Sequence, residues 1–233
     1  MNDQAGPRGP KHVPALDAIA GRRSVRGFLP DPVPQATLRA ILQVAARAPS
    51  GTNSQPWLVT VVTGAARDRV SEAVLAAARA GERSEEYAYA PHPWHEPFIA
   101  RRRKVGFDLY ALMGVRRDDM PARAEAGLRN FTFFGAPVGL FFTMDRRLLY
   151  GSWLDCGMFM QNVMIAARAH GLETCPQQAW CSYGRTVRQA LAIPEDQLLL
   201  SGMALGYEDP GVPANKLVTE REDVDAFARF LDE

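Results

Sequence analysis

A chain of 233 residues, 47% hydrophobic and with a formal net charge of +1, carries enough apolar material for one full core. That charge balance excludes the pervasive basic surface of a nucleic-acid binder or of a protein held to an anionic membrane, so a small molecule is the expected partner. Cys156, Cys175 and Cys181 and the four histidines show no metal-ligand spacing, so the thiols read as reduced and no metal site is expected.

Residues 1–14 are polar, rich in Pro and Gly, and lack the apolar centre of a secretory signal; they read as a flexible arm ahead of a single domain, 15–233, in a cytoplasmic protein. Leu16 to Gly21 has Leu16, Ile19 and Ala20 on one side of a short helix, and Arg22-Arg23-Ser24-Val25-Arg26 follows its end. Gln35 to Ala48 repeats Leu38, Ile41, Leu42 and Ala45 at helical spacing, with Pro34 at its start and Pro49 as its stop. The loop A-P-S-G-T-N-S-Q-P-W, 48–57, comes next. Its Pro, Gly and short polar residues favour a sharp turn, and Trp57 to Thr63 then reads as a strand closed by Gly64. The three arginines supply fixed positive charge, and with the polar loop they point to an anion that has a flat polar body.

Asp68 to Ala80 is a further helical stretch. Residues 81–129 mix E-R-S-E-E-Y-A-Y, the P-H-P-W-H-E-P turn and the basic run A-R-R-R-K, a composition that suits a mobile lid better than core. Trp94, Phe98, Phe107 and Tyr110 are candidates to stack on a flat substrate. Arg102 and Arg103, within the basic run 101–104, are candidates to meet a carboxylate or a nicotinamide phosphate. The competing reading has the aromatics dock the segment on the body and leaves the basic run in solvent.

Pro137 to Met144 reads as a central strand. Ser152 to His170 is a helix whose apolar residues run nearly all the way round, which calls for burial on most sides and so for a subunit interface. Asp155, Gln161, Asn162 and Arg168 interrupt it and argue against a membrane span. Gly171 to Trp180 reads as a helix stop followed by a turn at Cys175-Pro176, Tyr183 to Leu191 as a short helix, Gln197 to Gly206 as a strand, and Asp223 to Leu231 as one or two helical turns.

Three motifs in this order, R-R-S-V-R, A-P-S-G-T-N-S-Q-P-W and G-M-A-L-G-Y, resemble those of the nitroreductase family of FMN-dependent enzymes, over roughly Ala15 to Leu231. The resemblance implies an α+β, three-layer fold with a mixed, mainly antiparallel central sheet between helices. It also implies an intertwined homodimer with two FMN sites at its interface. Carried over, it makes Arg22, Arg23, Ser24, Arg26, Pro49, Ser50, Gly51, Asn53, Pro176, Gln177, Gln178, Ala179, Lys216 and Arg221 candidate FMN contacts. Backbone near Gln178 and Ala179 would face the flavin N5, and Arg221, with Lys216 as second choice, would reach the phosphate. Arg26 stays open between phosphate and ring edge. The implied activity is hydride transfer from NADH or NADPH through FMN to a nitroaromatic, a quinone or a similar acceptor. No side-chain nucleophile is required, and the sequence has neither a catalytic triad motif nor a G-x-G-x-x-G. Two alternatives remain at this level: a dehalogenating, flavin-cleaving or desaturating relative on the same fold, and an FMN-binding protein without catalysis.

Overall fold

The computed structural model describes residues 13–232, so the arm expected over residues 1–14 lies almost wholly outside the described residues. The chain runs α1 (Ala15–Gly21), α2 (Gln35–Ala45), β1 (Leu58–Thr63), α3 (Gly64–Ala80), α4 (Phe98–Leu112), α5 (Met120–Leu128), β2 (Val138–Asp145), α6 (Tyr150–Ala169), β3 (Glu173–Gln177), α7 (Gly184–Leu191), β4 (Gln197–Gly206) and α8 (Val224–Phe227).

The four strands form one sheet in the order β1-β2-β4-β3, every named pair antiparallel. The parallel component expected of a mixed sheet is a single bridge, Ser24 to Thr174. Strand alternation sends β2 side chains to opposite faces. Val138, Leu140 and Phe142 pack with Leu38 and Ile41 of α2 and Phe159 and Val163 of α6, while Phe141 packs with Val70 and Val74 of α3 and Val187 of α7. The result is three layers, α2 and α6, then the sheet, then α3 and α7.

Two strand glycines let aromatic rings lie on the sheet. A Cβ on Gly139 would stand 2.4 Å from the Phe133 ring, and one on Gly202 would stand 2.3 Å from Trp180. Phe131, Phe133, Phe141 and Trp180 thus form a contiguous aromatic cluster with centroid separations from 4.7 to 5.7 Å.

Several local expectations are corrected. α3 begins at Gly64, not Asp68, so that glycine starts the helix at φ +48° directly after β1. The stretch read as a turn at Cys175-Pro176 is strand β3, with Pro176 opposite Met203. Proline is tolerated there because β3 is an edge strand of the sheet, where a missing N–H need leave no ladder partner unpaired. Residues 81–129 carry two helices that the mixed composition hid. No helix among the described residues is long and apolar enough to cross a membrane.

Candidate functional site

Past α1 the chain extends alongside β3: Ser24 bridges Thr174, and the Val25 N–H donates to the Thr174 carbonyl at 3.0 Å. Extended backbone turns alternate residues to opposite sides. Arg22, Ser24 and Arg26 all act on the Cys175 thiol, whose burial nonetheless pushes it up to about 11. Arg23 is turned away and donates to both carboxylate oxygens of Glu208, one bond at 2.6 Å. Its guanidinium is therefore a strut between this segment and the end of β4, and it is not free for a ligand in the way its neighbours are.

Arg22 makes no salt bridge or hydrogen bond with any described residue. Burial, and then the nearby Arg221 guanidinium, push it below the ordinary arginine value. Arg221 is held by the Thr219 hydroxyl at 2.7 Å and the Glu220 carbonyl at 2.8 Å. The Arg26 guanidinium donates only to the Ser24 carbonyl, at 3.1 Å. The neighbouring acids are taken: Glu173 pairs with Arg168 at 2.9 Å and Glu208 with Arg23. Arg22, Arg26 and Arg221 therefore form no ion pair with a described carboxylate, although Glu173 stands close enough to act on Arg22; a phosphate dianion would complete the arrangement. A residue that the sequence alone did not single out fixes this cluster: buried Asn215 accepts from the Arg26 N–H at 2.7 Å and donates to the Gly27 and Asp209 carbonyls. Lys216, its neighbour, is exposed and unpaired at the end of the turn Pro213–Lys216.

The polar loop closes as a single tight turn, Gly51–Asn53, with Thr52, Asn53 and Gln55 all at positive φ. Such backbone is sparsely populated for residues with a Cβ and persists only where surroundings fix it. The Gly51 N–H, expected to face a ligand, donates to the buried Asp155 carboxylate at 3.2 Å, and the Ser50 hydroxyl accepts from the Gln55 N–H at 3.0 Å. Trp57 stacks on Phe159 at 4.8 Å and anchors the far end. The Asn53 side chain is exposed and makes no hydrogen bond with a described residue, and Pro49 is exposed as well, lining an apolar groove with Trp153, Leu154 and Met158.

Loop and arginines do not meet within one chain. The loop is fixed at Asp155, near the start of α6. The arginines gather where Arg168, near its end, bonds the Gly21 carbonyl and Glu173. Along the helix axis these anchors are about 20 Å apart. The first turns of α6, up to and just past the Asp155 anchor, are apolar and open, with Tyr150 85%, Leu154 72% and Met158 39% exposed.

β3 carries the third candidate group. Pro176 lies in the strand. The Gln177 side chain is buried and turned inward, donating to the Asn130 carbonyl at 2.7 Å and accepting from the Trp180 indole N–H at 3.4 Å. Gln178 is exposed and Ala179 half-buried at the start of the turn Gln178–Tyr183, about 10 Å along the strand from the arginines at Cys175.

The segment 81–129 divides in two. Its first residues are tied to the body: Ser84 N–H donates to the Ser182 carbonyl, buried Glu86 pairs with Arg146 and Arg188 at 2.7 Å, and the Tyr87 hydroxyl donates to the Leu200 carbonyl. α4 and α5 carry no buried residue and project from it. The basic run is split by the helix. Arg101 pairs with Glu222 at 2.7 Å and Lys104 with Glu220 at 3.2 Å, on either side of Arg221 in sequence. Arg102 instead lies over Trp94 at 5.3 Å, and Arg103 lines a separate groove with Tyr110, two turns along the same side of α4.

The nitroreductase family model matches residues 19–207. The chain is 42% identical to a chloronitrobenzene nitroreductase of Comamonas testosteroni over 219 residues, covering 93% of this chain and 96% of that one. Among solved structures it is similar to the FMN and NADPH-dependent nitroreductase NfnB from Sphigopyxis sp. strain HMH, at 41% identity and a TM-score of 0.93, covering 95% of this chain and all of that one. It is likewise similar to the FMN-dependent NfnB of Mycobacterium smegmatis in complex with NADPH, at 35% identity and a TM-score of 0.90, covering 94% and 98%.

Proposed function

This chain belongs to the nitroreductase family, and from that premise we propose that it is an FMN-dependent oxidoreductase that carries electrons from NADPH or NADH to a nitroaromatic or quinone-like acceptor. The observation that carries the reading is the group Arg22, Arg26 and Arg221 beside the edge strand β3, none of them in an ion pair with a described residue while the acids near them are bound elsewhere. A flavin phosphate supplies the missing charge, and Arg22 and Arg221 hold it. Arg26, kept in place by Asn215, serves the phosphate or the ring edge. When bound, FMN supplies the electron relay, accepting a hydride from the nicotinamide and returning two electrons to the acceptor. The chain's own work is positional. The turn at Gln178 and Ala179 presents backbone N–H groups at the end of β3, and the Asn53 side chain offers both a donor and an acceptor to a ring edge.

The separation of loop and arginines along α6 supports a site completed by two copies of the chain. A homodimer would bring the loop of one against the arginines of the other and cover Leu154, Tyr150 and the outer face of α1, where Leu16 and Ile19 are exposed. α4 and α5 are the cover over such a site, and the protein works in the cytoplasm.

The test is the visible spectrum of purified protein under anaerobic conditions. A flavin band that bleaches with NADPH or NADH and returns on adding a nitroarene is expected. A flavin that no nicotinamide bleaches would overturn the catalytic reading in favour of a binding protein.

A further inference from the structure

α4 has two charged faces with different fates. Arg101, Lys104, Val105 and Asp108 recur at helical spacing and face the segment that holds Arg221, and every charge on that face is paired. Across the helix, Arg102, Arg103, Phe107 and Tyr110 line a groove of about 510 Å³ with Arg117 and Arg123 from the α5 side. No carboxylate lines it. None of its four arginines makes a salt bridge with a described residue; the nearby Asp108 is engaged by Lys104 and Asp118 by Arg116. Two guanidinia lie on the aromatic rings, Arg117 over Phe107 at 4.4 Å and Arg123 over Tyr110 at 5.0 Å. The Arg123 Nε–H is buried with no acceptor, and Arg103 makes no hydrogen bond or ion pair with a described residue. Four like charges around one groove, an orphaned buried donor and two flat rings describe a receptor for a multiply charged anion on an aromatic body.

We propose that this groove binds the phosphorylated adenosine end of NADPH and gives the chain its preference for NADPH over NADH. The inference rests on the functional reading above. A phosphate monoester uses several guanidinia at once, which a single carboxylate does not, and the purine has the flat face that Phe107 and Tyr110 can meet. The groove lies on the far side of α4 from Arg221. A one-ring acceptor cannot occupy it while being reduced at the flavin, whereas a dinucleotide extends well beyond its reacting ring.

The experiment uses the FMN-loaded protein, with Arg103→Ala combined with Arg117→Ala, and Arg103→Lys as the conservative variant. Calorimetry with adenosine 2′-monophosphate, and with adenosine as control, reads binding without turnover; anaerobic stopped-flow bleaching reads each nicotinamide. The expected result is that adenosine 2′-monophosphate binds the wild type and adenosine far less. The double variant should lose that binding, and the NADPH to NADH ratio of bleaching efficiency should fall roughly tenfold or more, the loss falling on NADPH more than on NADH, with FMN content unchanged. Arg103→Lys should retain part of the ratio. An unchanged ratio in the double variant would overturn the proposal, as would a loss confined to turnover of carboxylated nitroarenes, which would hand the groove to the acceptor. A protein that binds adenosine 2′-monophosphate here but whose flavin no nicotinamide bleaches would keep the groove assignment and overturn the functional reading instead.

Discussion

Arg22 and Arg23 are adjacent in sequence, and both are candidate flavin contacts on sequence grounds, yet the extended backbone gives them different work. Arg22 lies near Arg221 and forms no ion pair with a described residue, its nearby acid Glu173 being bound to Arg168; Arg23 is bound to Glu208. Arg22→Ala should therefore weaken FMN binding about ten- to a hundredfold, the worth of a charged hydrogen bond or two, with little change in melting temperature. Arg23→Ala should leave FMN affinity within a few-fold and cost stability on the order of 1 kcal/mol or less, since its ion pair is partly exposed. FMN fluorescence titration and thermal melts of the two variants separate these roles; equal loss of FMN in both would mean the alternation has been misjudged. Only the tertiary partner distinguishes the two residues, and Glu208 lies 185 positions away. That pairing is invisible in a single sequence, as is the buried Asn215 that fixes Arg26.

At the scale of elements, apolar pattern is a good guide wherever an element is buried, as a helical stripe in α2 and as a continuous run in β2 and β4. α2, β2, α7 and β4 appear close to where their apolar patterns put them, because burial on the sheet is what made those patterns. β3 escaped because Pro176 reads as a turn unless the strand is known to lie at an edge, and α4 and α5 escaped because neither buries a residue, so neither carries an apolar stripe. The glycines of β2 and β4 were legible as residues but not as floors for aromatic rings. Gly202→Ala would press a Cβ into Trp180, which rests against Phe131, Phe133 and Phe141. Overpacking of this kind costs about 1–3 kcal/mol. In a domain of this size that corresponds to a melting temperature lower by roughly 2–4 °C per kcal/mol. A variant that melts with the wild type would show that the cluster relaxes freely.

Across the whole molecule, the loop that ends at Trp57 and the arginines around Arg22 read in sequence as two parts of one site, and one chain holds them at opposite ends of α6. The exposed apolar start of α6, the exposed outer face of α1 and the exposed Phe227, Phe230 and Leu231 near the C-terminus are surfaces a second copy would cover. On the function proposed above, the motifs name the parts of the site, and their assembly would take a second chain that no periodicity describes. The most direct measurement is the FMN content of mixed dimers, made by co-expressing one chain bearing Arg22→Ala with a second bearing Ser50→Ala and Asn53→Ala, each differently tagged. Homodimers of either variant should be flavin-poor. In the mixed dimer one site pairs two defects and the other pairs intact arginines with an intact loop, so the account predicts one FMN per dimer. A mixed dimer as empty as both parents would contradict it, because every site would then be built within a single chain.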